Sequence, residues 1–228
     1  NSRQFYPTSD PPSFHSTGFS TGISLLRYNR AGCEYGGTIN YNPVRVALDG
    51  ADRQQQAYLS FGPDFKWSRW LEGELALRYA LDLTGNFPPY PAVNAVLLNR
   101  RPIGENQFLT TLYAGHMANF APLNRQFTIG GFGAVPIRGF SPAFTGHTYL
   151  NASLEYRHSL SGNLWLLTYV DCGRAWSDHE KTREYDWESG AGVGLAVETP
   201  LGYPVRLDLA HGLTGGGLAW RIGLDMDF

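Results

Sequence analysis

The chain of 228 residues is poor in charge, in cysteine and in long apolar runs. Only 17% of its residues are charged, against about 25% in an average soluble domain. Its two cysteines, Cys33 and Cys172, are too few for a disulfide scaffold. The uninterrupted apolar runs, such as 164–167, are far shorter than a membrane-spanning helix requires. A net charge of -2 supplies no cationic field, so we expect no nucleic acid as a partner.

The sequence is instead rich in segments that alternate with period two. Side chains point alternately to the two faces of a strand, so this period predicts strands with one apolar and one polar face. In the run 187–198, Gly190, Gly192 and Gly194 share the polar face and would leave room beside it. The last run shows the pattern best, with apolar residues at Leu218, Trp220, Ile222, Leu224, Met226 and Phe228 and with Arg221, Gly223, Asp225 and Asp227 between them.

The alternating runs are about ten residues long, whereas ordinary soluble strands have about five or six. Alternating segments of this length, separated by turns, are typical of transmembrane β-barrels, whose apolar side chains face lipid. We therefore predict an all-β fold, a transmembrane antiparallel β-barrel over 17–228, preceded by a polar tail or loop over 1–16. The predicted strands lie near 17–28, 35–48, 56–67, 71–84, 106–118, 147–159, 163–176, 186–199, 203–214 and 217–228.

The segment 85–107 leaves two strand counts open. If it is one loop, the chain has ten strands and a long loop on the periplasmic side, where turns are normally short. If 92–101 is a further strand, the short turns fall on the periplasmic side and the long loops outside, and the count is eleven. Because free-standing bacterial barrels have an even count, the second reading implies a piece of a larger barrel or one that another chain completes.

A glycine-rich loop with the sequence FTIGGFGAVPIRGF occupies 127–140. Burying its arginine, Arg138, is costly unless the charge is met, and the guanidinium fork suits carboxylates. Glu155 and Asp171 fall on inward-facing positions of neighbouring predicted strands, so a charge-assisted pair there would hold the loop, 127–145, inside the lumen. Glycine lets the backbone turn tightly at three positions of the loop. These are Gly130, Gly131 and Gly139.

This loop resembles the Arg-Gly-Phe loop of the outer-membrane protein insertase and two-partner secretion transporter superfamily, which includes the bacterial surface antigen family. The residues that match are Phe127, Gly130, Gly131, Arg138, Gly139 and Phe140. Five strands follow the loop, as in that superfamily. The runs Ser153-Leu-Glu155 and Tyr169-Val-Asp171-Cys-Gly173 resemble its acidic and aromatic-x-Asp-x-Gly strands. The resemblance implies that Arg138 meets Glu155 and Asp171 on the wall.

The end of the chain also resembles the superfamily. An alternating strand with Trp220 that finishes at Phe228 is similar to the C-terminal signal that the barrel-assembly machinery reads. The resemblance implies a bacterial outer-membrane protein that helps polypeptides enter or cross the membrane without a cofactor. Its mechanism would use the loop and a weakly sealed seam formed by the strand 217–228. The implied partners are outer-membrane lipids, client polypeptides, the assembly machinery and a second copy or another barrel-forming chain.

Other interpretations remain open. A passive pore or surface-antigen barrel would conduct ions independently of Arg138. An outer-membrane enzyme would bring a serine and a histidine together on the lipid-facing wall, and a soluble all-β binding protein would need no detergent. We expect no metal site, since the six histidines lack ligand spacing. We expect no enzyme, since no candidate pair of a serine and a histidine stands out in the sequence. The glycine run 215–217 is interpreted as a loose hairpin tip, not as a phosphate-binding loop. Trp165, Trp176, Trp187 and Trp220 lie near predicted strand ends and are interpreted as an interfacial aromatic girdle, with ordinary core packing as the alternative.

Overall fold

The computed structural model describes ten stretches of the chain, and all but two short strands lie in one antiparallel sheet. These stretches are 14–18, 21–28, 33–48, 54–68, 71–121, 125–132, 135–140, 144–177, 187–199 and 204–224. Within them there is no helix that is long and apolar enough to cross a membrane. Their fold is thus all-β, as the alternation predicts.

The described residues form fourteen strands. Before the glycine-rich loop they are β1 (Phe14–Gly18), β2 (Thr21–Tyr28), β3 (Cys33–Leu48), β4 (Gln54–Ser68), β5 (Glu72–Asp82), β6 (Tyr90–Ile103) and β7 (Asn106–Met117). The loop contains β8 (Phe127–Ile129) and β9 (Phe144–Gly146). After it come β10 (Thr148–Ser161), β11 (Leu164–Trp176), β12 (Glu188–Glu198), β13 (Pro204–Gly212) and β14 (Leu218–Leu224).

The sheet holds twelve strands at eleven positions. β1 and β2 pair with successive parts of β3 in one continuous register, Phe14 opposite Leu48 and Thr21 opposite Tyr41, so together they occupy one position. β6 pairs with β5 and β7 and is the extra strand that the segment 85–107 left open. The count of eleven is therefore the one that the described residues confirm. β1 starts within the predicted tail, at Phe14, and 1–13 lies outside the described residues.

The connections sort by length between the two ends of the sheet. Every second connection is short at one end, as between β6 and β7 (104–105) and between β10 and β11 (162–163). At the opposite end, the connections include 118–147 and 177–187. This asymmetry is the one that outer-membrane barrels show, with short periplasmic turns and longer external loops.

The two faces of the sheet are the reverse of those in a soluble protein. Leu154 and Leu207, in the middle of β10 and β13, are 44% and 45% exposed. Their polar neighbours in sequence, Ser153 and Asp208, are buried on the opposite face, where the glycine-rich loop lies. Apolar side chains that point away from the protein need lipid around them, so the predicted orientation of the strands is confirmed. We call the loop-bearing face the inner face.

Three of the four tryptophans predicted for an interfacial girdle lie on the outer face. They are Trp176, Trp187 and Trp220. Trp165 does not, because it shares the parity of Leu167 and Tyr169, which are buried on the inner face of β11. Proximity to a strand end predicted its membrane position, but the residue's place in the two-residue period decides the face.

Within the described residues, the sheet is open at both edges. β14 pairs only with β13, and the strand formed by β1 and β2 pairs only with β3. Lipid cannot satisfy the hydrogen-bonding groups of such an edge. The described sheet is therefore one part of a barrel wall.

Replacement of Leu207 by arginine should test the lipid-facing orientation. A charge on the lipid face near the middle of the bilayer costs about 2–4 kcal/mol, and this falls to about 0–1 kcal/mol near the interfaces. We expect Leu207→Arg to lower the free energy of unfolding in lipid vesicles by the larger amount. Leu213→Arg, in the exposed connection after β13, is the control and should cost little; equal costs would argue against a membrane-embedded face.

Candidate functional site

The loop between β7 and β10 folds back along the inner face of the sheet as a small hairpin. β8 and β9 pair with each other, and an isolated bridge joins Gly131 to Ile137 beyond them. The hairpin can close because Gly130 and Gly131 have φ of 106° and 62°, which favour glycine. The Gly130 amide donates to the Val135 carbonyl at 2.9 Å.

An apolar cluster fixes this hairpin to the wall. Ile137 and Phe140, on either side of the arginine and glycine of the loop, are buried against side chains of the barrel strands. The cluster consists of Ile129, Ile137, Phe140, Tyr149 and Ala175, with Tyr113, Phe127 and Val135 packed against it. Burial of these side chains contributes to docking on its own, so the charged contacts position the loop but are not its only attachment.

Arg138 makes five polar contacts, all on the inner wall. Its backbone amide and its Nε donate to Asp171 Oδ2 at 2.9 and 2.6 Å, and its Nη2 donates to Asp171 Oδ1 at 2.7 Å. Nη1 donates to Glu155 Oε2 at 3.1 Å, and Nη2 also donates to Ser153 Oγ at 3.0 Å. The register explains the convergence, because Ser153 on β10 lies opposite Asp171 on β11. Side chains of two strands thus hold the guanidinium.

The guanidinium of Arg138 is also stacked on an aromatic ring. Its Cζ lies 3.4 Å from the ring centroid of Tyr169, whose cross-strand partner is Glu155. Burial would lower the pKa of Arg138, but the hydrogen bond and charge of Asp171 and then the charge of Glu155 outweigh it, so the pKa lies above its ordinary value. The group remains cationic, and only 6% of the residue is exposed.

Glu155 connects the loop to a second group of charges. Arg157 Nε donates to its Oε1 at 2.8 Å, and Arg206 Nη2 donates to its Oε2 at 2.9 Å. Arg206 Nε in turn donates to both oxygens of Asp208 at 2.8 Å. All of these groups are buried, and buried ions are stable only when they are paired and hydrogen-bonded. The network therefore spans β10, β11 and β13 as well as the loop.

A further arginine joins the loop to β14. Arg221 Nη1 donates to the Phe132 carbonyl at 3.0 Å, and its Cζ lies 5.2 Å from the Phe132 ring centroid. The same guanidinium lies 3.4 Å from Asp208 Oδ2. The loop thus contacts the last described strand of the sheet directly, near the open edge.

Glycines on the inner face of β12 make room for the site. A Cβ built on Gly190 would overlap the Arg138 carbonyl oxygen, one on Gly192 the Tyr169 ring, and one on Gly194 the Asp208 carboxylate. The glycines that the sequence placed on this face therefore leave space for three parts of the charged site. Gly139 has φ of 94°, and a Cβ there would meet the backbone of His211 and Gly212.

The run 215–217 is not a loose hairpin tip. The Gly217 amide donates to the Gly139 carbonyl at 3.0 Å, and the Gly212 amide donates to the Gly217 carbonyl at 3.1 Å. A Cβ on Gly216 would overlap that same Gly139 oxygen. The sequence interpretation missed this because the partner of these glycines is a loop about 80 residues away, which local turn patterns cannot reveal.

The structure brings together most of the residues that the sequence proposed for the site. Arg138, Glu155, Asp171 and Tyr169 are in contact, while Gly130, Gly131 and Gly139 shape the loop and Phe140 packs in the apolar cluster. Trp220 lies on the outer face, away from them, and Phe228 lies outside the described residues.

Sequence reasoning did not propose five further polar contributors. They are Ser153, Arg157, Arg206, Asp208 and Arg221. A signal was available for each, because alternation put them all on the polar side of their strands. It could not say which polar residues converge, since that depends on the register between strands.

A serine and a histidine do meet, at the base of the loop. His147 Nδ1 lies 2.8 Å from Ser177 Oγ, and its Nε2 lies 2.9 Å from the Ala121 carbonyl. The carbonyl accepts a hydrogen bond from Nε2–H, which leaves Nδ1 to accept a hydrogen bond from the serine hydroxyl. In a catalytic triad, the histidine nitrogen that does not face the serine is hydrogen-bonded to a carboxylate. In His147 that nitrogen, Nε2, is hydrogen-bonded to the Ala121 carbonyl. The pair ties the two ends of the loop region to β11.

Long alternating strands with an apolar outer face, short turns at one end and a charged loop on the inner face define an outer-membrane β-barrel protein. Residues 102–217, just over half of the chain, match the family model of the Omp85 superfamily domain. The chain belongs to the Omp85 superfamily and is a bacterial outer-membrane protein.

Solved structures of barrel proteins share the fold. BamA from Haemophilus ducreyi lacking POTRA domains 1–3 superposes with a TM-score of 0.66 at 16% identity, over 92% of this chain and 53% of that one. For CdiB from Acinetobacter baumannii the TM-score is 0.69 at 15% identity, over 92% and 42%. For CdiB from Escherichia coli the values are 0.63, 18%, 93% and 44%. The chain thus spans about half the length of these proteins, or less.

Replacement of Gly190 by alanine should displace the loop. The new methyl group would overlap the Arg138 carbonyl oxygen, and overpacking of this kind costs about 1–3 kcal/mol. We expect faster trypsin cleavage after Arg138 in Gly190→Ala. Gly217→Ala is the matched control, because no atom lies within 4 Å of a Cβ there and the amide that bonds Gly139 is kept. Equal cleavage of the two variants would contradict the role of Gly190.

A double-mutant cycle of Arg138→Met and Asp171→Leu should show strong coupling. Each single change leaves a buried charge unpaired, at about 3–5 kcal/mol, so the double variant should lose much less than the sum in unfolding measurements. The exposed pair of Lys66 and Glu74, at 3.1 Å, is the control cycle and should couple by less than about 1 kcal/mol. Additive losses for Arg138 and Asp171 would count against the pair.

Proposed function

We propose that this chain forms part of an outer-membrane barrel that inserts polypeptides into the outer membrane or secretes them across it. The Omp85 superfamily domain and the similarity to BamA and CdiB barrels support this function. The reaction would need no catalytic residue and no cofactor, since strands can be added to a sheet edge by backbone pairing alone. Its partners would be lipids, client polypeptides and the assembly machinery.

The observation that carries the proposal is the direct connection between the inner loop and the open edge. The Gly139 carbonyl accepts from the amide of Gly217, immediately before β14, and the Phe132 carbonyl accepts from Arg221 in the middle of that strand. A shift of the loop would therefore remove contacts that hold β14. In a passive pore, no such coupling between the loop and one particular strand would be required.

The edge itself is suited to receive a client strand. In the described part of the chain, β14 pairs only with β13, along Leu218–Leu224. Its outward side chains Leu218, Trp220 and Ile222 are 71%, 70% and 64% exposed, more than the most exposed large apolar side chain of a described strand with two neighbours, Ile39 at 57%. An unpaired edge is a template for another strand, and we propose that it forms one side of a weakly sealed seam, which a client, a second copy or another barrel-forming chain can complete.

Site-specific photocross-linking in the intact protein in its native membrane would test the seam. With benzoylphenylalanine in place of Ile222 on β14, we expect cross-links to an inserting barrel client, because backbone pairing would bring the client beside this side chain. The matched control is the same probe at Leu195, which also faces lipid but lies on β12 between two paired strands. The edge position should capture the client several-fold more efficiently.

Two outcomes would contradict the proposal. Equal cross-linking at Ile222 and Leu195 would mean that the client does not approach the edge. Steady ion conductance in planar bilayers that is unchanged by Arg138→Met, with no client captured, would favour the passive pore or surface-antigen barrel.

A further inference from the structure

Arg174 on β11 lies on the outer, lipid-facing side of the sheet, near the end where the long connections are. Arg174 on β11 has the opposite parity to the buried Asp171 and the same parity as the exposed Val170. Its cross-strand partner on β10 is Leu150, which is also exposed. A charge at this face is destabilising in hydrocarbon and is tolerated only near an interface, so its position along the strand matters.

Two tryptophans locate Arg174 at the interface. Its Cζ lies 4.7 Å from the ring centroid of Trp176 and 5.8 Å from that of Trp187. Trp176 is the last residue of β11, and Trp187 immediately precedes β12. Tryptophan at strand ends on the outer face is typical of the boundary between hydrocarbon and headgroups. The rings hold the guanidinium by cation–π attraction at the depth where lipid phosphates lie.

The guanidinium of Arg174 has hydrogen-bond donors that no described residue accepts from. Among the described residues, its side chain makes no hydrogen bond or ion pair, and its Nε is shielded without an acceptor. The inner arginines Arg138, Arg206 and Arg221 differ in this respect, because each is paired with a carboxylate. A guanidinium matches the geometry of a phosphate with two parallel hydrogen bonds.

We propose that Arg174, Trp176 and Trp187 form a binding site for the phosphate of an anionic lipid headgroup at the loop end of β11 and β12. The two rings cover the acyl-chain side and orient the cation, and the phosphate accepts from the guanidinium. Such a site would hold a lipid against the outer face of the wall, three residues along β11 from Asp171. It rests on the membrane location of the protein and not on its transport activity.

Native mass spectrometry of the detergent-solubilised protein can measure this binding. Phosphatidylglycerol is the probe, and a galactolipid with the same acyl chains but no phosphate is the comparison. One basic residue near a membrane surface contributes enough attraction for a change of about five-fold. We expect the first phosphatidylglycerol to bind about five-fold more weakly to Arg174→Gln, with galactolipid binding unchanged. Free glycerol phosphate should compete poorly, because it lacks the acyl chains that the tryptophans contact.

Arg101→Gln is the matched control. Arg101 is exposed on the outer-face parity of β6, at the short-turn end of the sheet, opposite to Arg174. We expect this variant to bind like the wild type, and Trp187→Leu to weaken phosphatidylglycerol binding while the protein stays folded. Equal binding of phosphatidylglycerol to Arg174→Gln and wild type, or equal losses for Arg174→Gln and Arg101→Gln, would overturn the proposal.

The alternative to a lipid phosphate is an ion pair between the Arg174 guanidinium and a carboxylate of the segment 178–186, which follows β11 in the sequence. The variant in which all four acids of this segment become amides decides between the two: unchanged binding supports the lipid site, and markedly tighter binding overturns it in favour of an ion pair within the protein. The acids are Asp178, Glu180, Glu184 and Asp186.

Discussion

The pairing of one loop guanidinium with the carboxylates of the wall is the constraint on which the rest of the site depends. Arg138 is withdrawn from water on the inner face, and a buried cation without counter-charges would cost several kcal/mol. β10 and β11 must therefore hold the register that sets Ser153 opposite Asp171. β12 must carry glycine where the loop backbone passes, and the hairpin must close at Gly130 and Gly131 so that the arginine reaches the wall.

The carboxylates of the inner network differ in how many cations contact them, and Asp171 is the one that depends most on the loop. Glu155 also meets Arg157 and Arg206, and Asp208 meets Arg206 and Arg221. The polar side chains that meet Asp171 among the described residues are Arg138 and Ser153. If the loop withdrew, Glu155 would keep two cations, whereas Asp171 would lose the one cationic partner that it has among the described residues. The electrostatic part of the free energy that opposes withdrawal is thus concentrated at one strand position of β11, in addition to the apolar burial of the hairpin.

The sequence was sufficient for the parts of the structure that depend on period and on a strong local motif. Alternation predicted which face of β10 and β13 meets lipid, and the Arg-Gly-Phe loop predicted a partner for Arg138. β6 was left open because Val93, Val96 and Leu97 make both of its faces apolar, so that its identity as a strand is evident only from pairing with β5 and β7. Trp165 and the glycines at 215–217 were misjudged because register and remote contacts decide their surroundings.

The eleven strand positions have a consequence for how the wall can be sealed. In an antiparallel sheet with an odd number of positions, the first and last strands run in the same direction, so β2 and β14 both point toward the short-turn end. Direct union of these two edges would give a parallel ladder, and two copies arranged about an axis normal to the membrane would contain two such ladders. A cylinder that is antiparallel throughout needs an odd number of additional strands between the edges, whichever polypeptide supplies them.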